Sequence, residues 1–176
     1  MRAREGTEQG LERLNALVAA EAESELLKCC GSTGWARALA SRRPFADAEE
    51  LTAAADEIWW SLGEEDWLEA FAAHPKIGGR KAARPQDAQA EGWSAQEQSG
   101  VSRAEQATLD ELAAANRAYE EKFGHIFIVC ATGKTATEML NALHARLPND
   151  PGVELRNAVD EQRKITRLRL EKLLTT

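Results

Sequence analysis

Apolar positions recur along this chain at steps of three and four residues, the spacing of one face of an α-helix. Leu11, Leu14, Leu17 and Val18 predict a helix over residues 8–20. A second is expected over about residues 21–31, where Cys29-Cys30-Gly31 puts a glycine at the position that commonly follows a helix end. Residues 35–41 form a short piece that stops before Arg43-Pro44-Phe45. Asp47 is placed to cap a helix running to about Leu62, with Leu51, Ala54, Ala55, Ile58 and Trp59 on one side and Gly63 closing it. A short helix over residues 66–73 is halted by Pro75. Residues 75–93 hold three glycines and two prolines with little periodicity, and read as a long loop. Helix resumes at Ser94, and a long helix from about residue 103 to 122 ends at Phe123-Gly124. Residues 126–130 could form a strand, but a lone strand has no partner, so a buried extended piece or a helix start is preferred. Helices over residues 134–146 and 151–174 complete the pattern.

Composition agrees with that reading. Ala and Leu are plentiful and β-branched runs are nearly missing, which favours helix throughout. The 176 residues are 43% apolar, enough for a hydrophobic core in one ordinary domain. The expectation is an all-α single-domain bundle of about seven to nine helices spanning residues 1–176. Lys and Arg total 22 against 29 Asp and Glu, a net charge of -7, which gives no field for a nucleic acid or an anionic membrane. Three cysteines, Cys29, Cys30 and Cys130, make no disulfide scaffold and no CxxC pair. The start lacks the apolar core of a signal peptide, and no apolar run approaches the length of a membrane span. The ending Leu-Thr-Thr is no peroxisomal address, so a cytoplasmic protein is expected.

Several local matches fail on inspection. Gly133-Lys134-Thr135 looks like the end of a phosphate-binding loop, yet the glycine required five residues earlier is Ile128. Gly78-Gly79-Arg80-Lys81 lacks dinucleotide-site spacing. His74, His125 and His144 stand apart without metal-ligand spacing, so no metal is expected. No nucleophile elbow occurs.

Three constellations remain. His74 follows an apolar helix and precedes a proline, which places it at the helix's C-terminal end, where the dipole favours the imidazolium. There it is either a capping side chain or a proton donor and acceptor at a loop mouth. Ser94-Ala95-Gln96-Glu97-Gln98 reads as a capping box at a helix start, or as free helix amides with Ser94, Glu97 and Gln98 lining an opening for an anion. Arg169 shares a helix face with Ile165 and Gln162, and is either a core-edge ion pair or a receptor for a carboxylate. Arg167 competes for the same role.

Taken together these segments resemble one family, the 2-oxo-4-hydroxy-4-carboxy-5-ureidoimidazoline (OHCU) decarboxylases. The matching stretches are Cys29-Cys30-Gly31-Ser32 with Trp35, Arg43-Pro44-Phe45, and Ala70-Phe71-Ala72-Ala73-His74-Pro75-Lys76-Ile77-Gly78. They continue with Trp93 to Gln98, Asn116 to Phe127, Ala131-Thr-Gly-Lys134 and Ile165 to Leu170, in order over nearly the whole chain. The resemblance implies an all-helical, cofactor-free enzyme, usually a homodimer, performing the last step from urate to (S)-allantoin. It implies His74 as proton donor and Glu97 as the second catalytic group. Pro75, Ser94, Ala95, Gln96, Glu97, Gln98, Phe127, Ile128, Val129, Cys130, Ala131 and Arg169 fall at its substrate-binding positions. The stretch between His74 and Ser94 is longer than the family pattern, which leaves contacts from Arg80 or Lys81 open. Two rival readings are an amidohydrolase acting on another ureido compound and a helical interaction module docking through Trp59-Trp60 and the Arg-rich C-terminal helix.

Overall fold

A computed structural model of the chain describes residues 2–76, 88–97 and 106–176. These hold nine helices and no β-strand, so the all-α expectation stands. In order they are α1 (Arg2–Ala16), α2 (Ala19–Cys29), α3 (Thr33–Ser41), α4 (Ala48–Ser61) and α5 (Glu64–Ala72). There follow α6 (Ala88–Glu97), α7 (Gln106–Phe123), α8 (Ala136–Arg146) and α9 (Pro151–Thr175). Much of the expected 75–93 loop, residues 77–87, lies outside the described residues, as do 98–105. The part that is described corrects the expectation: helix begins at Ala88, not at Ser94.

The chain divides into two compact units, one of Met1–Ala70 with Arg163–Thr176 and one of Phe71–Gln162. In the first, the predicted apolar faces converge on Leu26, Trp35, Leu39, Leu51, Trp59 and Leu170, all at most 2% exposed. Helix starts are capped as the sequence suggests or by a distant side chain. Asp47 accepts from the Glu50 amide at 2.8 Å. Ser32 caps α3 through the Trp35 amide, and the Glu69 carboxylate accepts from both the amide and the hydroxyl of Thr33 at 2.9 and 2.7 Å. Arg43 gathers carbonyls at two helix ends, donating to Leu14 and Leu17 at 2.7 Å each and to Ala40 at 3.0 Å. The Arg43-Pro44 bond is cis. Helix α1 approaches the end of α9 so closely that a Cβ on Gly10 would stand 1.9 Å from the Leu174 carbonyl oxygen.

The second unit is organised by α7 and α8. Leu112, Ala115, Tyr119, Met139, Leu140 and Leu143 form a cluster that also takes in Phe127, Val129 and Ala131. Gly124 ends α7 with φ +75°, a conformation that costs glycine little, and its amide donates to the Glu120 carbonyl at 2.8 Å. A capping box starts α8: Thr135 accepts from the Glu138 amide while the Glu138 carboxylate accepts from the Thr135 amide.

Glu154 is fully buried in this unit and four side chains answer it. It accepts from the Tyr119 hydroxyl, from Arg146 Nε at 2.8 Å, and from Asn149 and Asn157 at 2.9 and 3.2 Å. Burial alone would raise its carboxyl, but the hydrogen bonds from Arg146, Tyr119 and Asn149 outweigh it and hold the group below the ordinary value. The Tyr119 phenol is driven the other way, first by burial and then by the Glu154 carboxylate.

Candidate active site

Helix α5 ends at Ala72, and a tight turn carries the chain into Pro75, with the His74 amide donating to the Phe71 carbonyl at 3.0 Å. His74 thus stands just past a helix C-terminus, as its place before a proline dictates. It is not a solvent-facing cap. The residue is 8% exposed, and Nε2 lies 2.7 Å from the side-chain oxygen of Gln162, which is wholly buried on α9. Pro75 is half-buried, and the next residue, Lys76, pairs with Glu120 of α7 at 2.6 Å.

Residues 127–131 resolve the question left by the apolar run. They form neither strand nor helix but a buried extended segment, and all five residues are below 9% exposure. Alternate side chains, Phe127, Val129 and Ala131, join the α7–α8 cluster. An extended backbone without a partner strand must find its hydrogen bonds elsewhere, and here long side chains supply them. The Cys130 amide donates to the Glu161 carboxylate at 2.7 Å, and its carbonyl accepts from Lys134 at 2.7 Å. The Ile128 carbonyl accepts from Arg146 at 2.8 Å, and that guanidinium also lies over the Phe127 ring. Glu161 and Gln162 are consecutive on α9, so a single step of that helix holds both the 127–131 segment and His74.

Within the 94–98 group the structure reaches only part. Ser94 is buried, four residues after buried Ala90, so the two share the inward face of α6. Because α6 starts at Ala88, Ser94 lies in its second half and cannot cap its beginning. The capping box and the anion site of helix-start amides expected at Ser94 and Glu97 are both set aside. Gln96 is exposed, the side chains of Ala95 and Glu97 lie outside the described residues, and so does all of Gln98.

The competing arginines separate clearly in the first unit. Arg167 is half-exposed and paired with Asp56, which also binds Arg163 at 3.0 Å. Arg169 is 2% exposed, with one donor 3.4 Å from the Lys28 carbonyl and its charge beside the two cysteine thiols. Burial pushes the Cys29 thiol far up and the Cys30 thiol up to about 11, against which Arg169 pulls both down. Neither thiol is a ready nucleophile. Among the described residues no group of three or more His, Cys, Asp or Glu could hold a metal ion. No described helix is long and apolar enough to cross a membrane.

The sequence singled out His74 and Arg169 but gave no role to Glu161 and read Gln162 only as a face-mate of Arg169. Their partners lie 31 and 88 residues away, beyond the reach of any local pattern.

The described residues are helical and seat a buried imidazole against a buried amide, and the comparisons give the family. The family model of OHCU decarboxylase matches residues 15–171. The uric acid degradation bifunctional protein of Arabidopsis thaliana is 40% identical over 154 residues, 87% of this chain, but the chain spans only 47% of that protein's length. The OHCU decarboxylase of Amia calva is 32% identical over 79% of each chain. A crystal structure of OHCU decarboxylase in the presence of (S)-allantoin superposes with a TM-score of 0.75 at 40% identity, covering 87% of this chain and 99% of that one. A crystal structure of (S)-allantoin synthase, 22% identical with a TM-score of 0.68, shares the fold. The class these relatives define is that of decarboxylases, one of them part of a protein of uric acid degradation. The chain belongs to the OHCU decarboxylase family.

Proposed function

We propose that this chain decarboxylates OHCU to (S)-allantoin without a cofactor, using His74 and Glu97 for proton transfer. The observation that carries the reading is His74 itself: in a chain of this family, the motif histidine is buried and fixed at 2.7 Å by Gln162 rather than spent on capping a helix. The substrate bears its carboxylate on a hydroxyl-substituted ring carbon beside an unsaturated C–N centre. When the bond to CO2 breaks, its electron pair moves into that conjugated system, so the substrate serves as its own electron sink. His74 and Glu97 handle the hydroxyl proton and the charge that develops, and protonation of one face at the adjacent carbon, formerly the unsaturated C–N centre, sets the S configuration. Arg169 receives the carboxylate, an assignment supported by its burial while Arg167 is engaged with Asp56. Pro75, Ser94, Ala95, Gln96 and Gln98 line the substrate, and the segment of Phe127, Ile128, Val129, Cys130 and Ala131 offers it backbone groups. The Cys130 amide and carbonyl are already engaged with Glu161 and Lys134, so the remaining amides of the segment are the better candidates.

The protein is one domain and works as a homodimer in the cytoplasm, readings supported by the family resemblance and by three free, buried cysteines. Light scattering coupled to gel filtration checks the first part of this: a monomeric mass would remove the dimer. The activity is tested by circular dichroism on OHCU generated in situ from urate, in EDTA. Rapid growth of the (S)-allantoin signal is expected with the wild type, and His74→Asn should lose roughly 10²–10⁴ in rate. Slow racemic decay with both proteins would sink the proposal, and unchanged stereoselective turnover in the variant would remove His74 from it.

A further inference from the structure

We propose that Gln162 is the positioning residue that sets the tautomer of His74, holding the ring proton on Nε2 so that Nδ1 is the nitrogen that exchanges a proton with substrate. The inference rests on the catalytic reading of His74 given above.

A neutral imidazole has one N–H and one bare nitrogen, and which is which decides the face it can work from. In this protein Nε2 lies 2.7 Å from Gln162 Oε1, a distance for a good hydrogen bond between buried groups. A carbonyl oxygen only accepts, so Nε2 must carry hydrogen in that contact. The constraint holds in both charge states of the ring, because the imidazolium also bears a proton at Nε2. Proton exchange with substrate therefore falls to Nδ1, and the bond to Gln162 need not break in the cycle.

The choice of an amide fits the chemistry. A carboxylate in that position would favour the charged ring electrostatically, whereas a neutral amide orients it without committing it to one charge state. Gln162 is itself wholly buried and carried mid-helix on α9. Were the amide turned the other way, its N–H would face a bare Nε2 and the ring proton would sit on Nδ1, so amide orientation and ring tautomer are set together. Adjacent Glu161 anchors the Cys130 amide, so the step of helix that aligns the ring also fixes the 127–131 segment.

The test pairs ring ¹⁵N–¹H NMR of the wild type, Gln162→Met and Gln162→Glu with steady-state kinetics, all on the full chain. In the wild type, above the pH at which the ring titrates, the His74 spectrum should be that of an Nε2–H tautomer. Gln162→Met removes the acceptor at nearly constant volume; it should show mixed tautomers and lose on the order of 10² in kcat, with KM changed by less than threefold. Gln162→Glu keeps an acceptor oxygen there and should retain the Nε2–H signature. An Nδ1–H tautomer in the wild type would overturn the proposal, even if Gln162→Met failed to fold. So would a Gln162→Met protein with unchanged tautomer and kcat. Failure of the catalytic reading is separable: His74→Asn would then keep full turnover whatever tautomer the wild-type ring shows.

Discussion

Two residues show how narrowly single positions are constrained. Gly10 has no room for a methyl group, since its Cβ would fall 1.9 Å from a backbone oxygen that cannot rotate away. Gly10→Ala must push α1 from the end of α9 and should cost about 1–3 kcal/mol, read as a lower urea midpoint. Glu154 is constrained by charge. Its carboxyl is held below its ordinary value of 4.5, so its stabilising contribution is present above that pH and is lost as pH falls through the lower, folded value. Tyr119 is raised above its ordinary 10.0, so its contribution is present below that pH and fades as alkali rises past it. The melting temperature should therefore hold a plateau between these limits and fall on both sides. Glu154→Gln should cost about 3–5 kcal/mol, because it leaves Arg146 uncompensated, and should flatten the acid limb of that curve. An acid limb of unchanged steepness in the variant would mean that other carboxylates produce it.

Most elements were legible because an amphipathic helix writes its period into the sequence. The Asp47 cap, the buried face from Leu51 to Trp59 and the glycine end of α7 all follow from local chemistry. At helix α6 the local pattern and the structure part for a physical reason. Gly92 and two prolines upstream look like breakers, while Ser94 with Glu97 mimics a capping box, so the pattern starts the helix there. The real capping box is Thr135 with Glu138, inside the false phosphate-loop motif. Residues 127–131 were legible as buried but not in how they are satisfied, because Glu161, Lys134 and Arg146 reach them from other elements. That dependence can be tested at one point. Glu161→Ala removes a charged acceptor worth about 1.5–3 kcal/mol, and hydrogen exchange at the amides of 127–131 should quicken by tenfold or more. Unchanged protection would show that packing alone holds the segment.

For the molecule as a whole, the candidate site was partly legible. His74 announced itself through its neighbours in the chain, and Arg169 through a helix face. Their settings did not: the Gln162 contact and the thiols beside Arg169 are assembled by tertiary packing, which no period encodes. The division into units carries a further consequence. Phe71–Gln162 is one continuous stretch, but the other unit joins Met1–Ala70 to Arg163–Thr176 and so cannot be completed until the last helix exists. On a ribosome, residues 71–162 are therefore able to fold before the unit that flanks them, whose earlier helices wait for the end of α9. Gly10 and Arg13 meet that late arrival directly, the arginine donating to the Leu173 carbonyl at 3.1 Å. A chain stopped after Gln162 should keep its hydrogen-exchange protection in α7 and α8 and lose it in α1 and α2, which are left without the stretch that completes their unit.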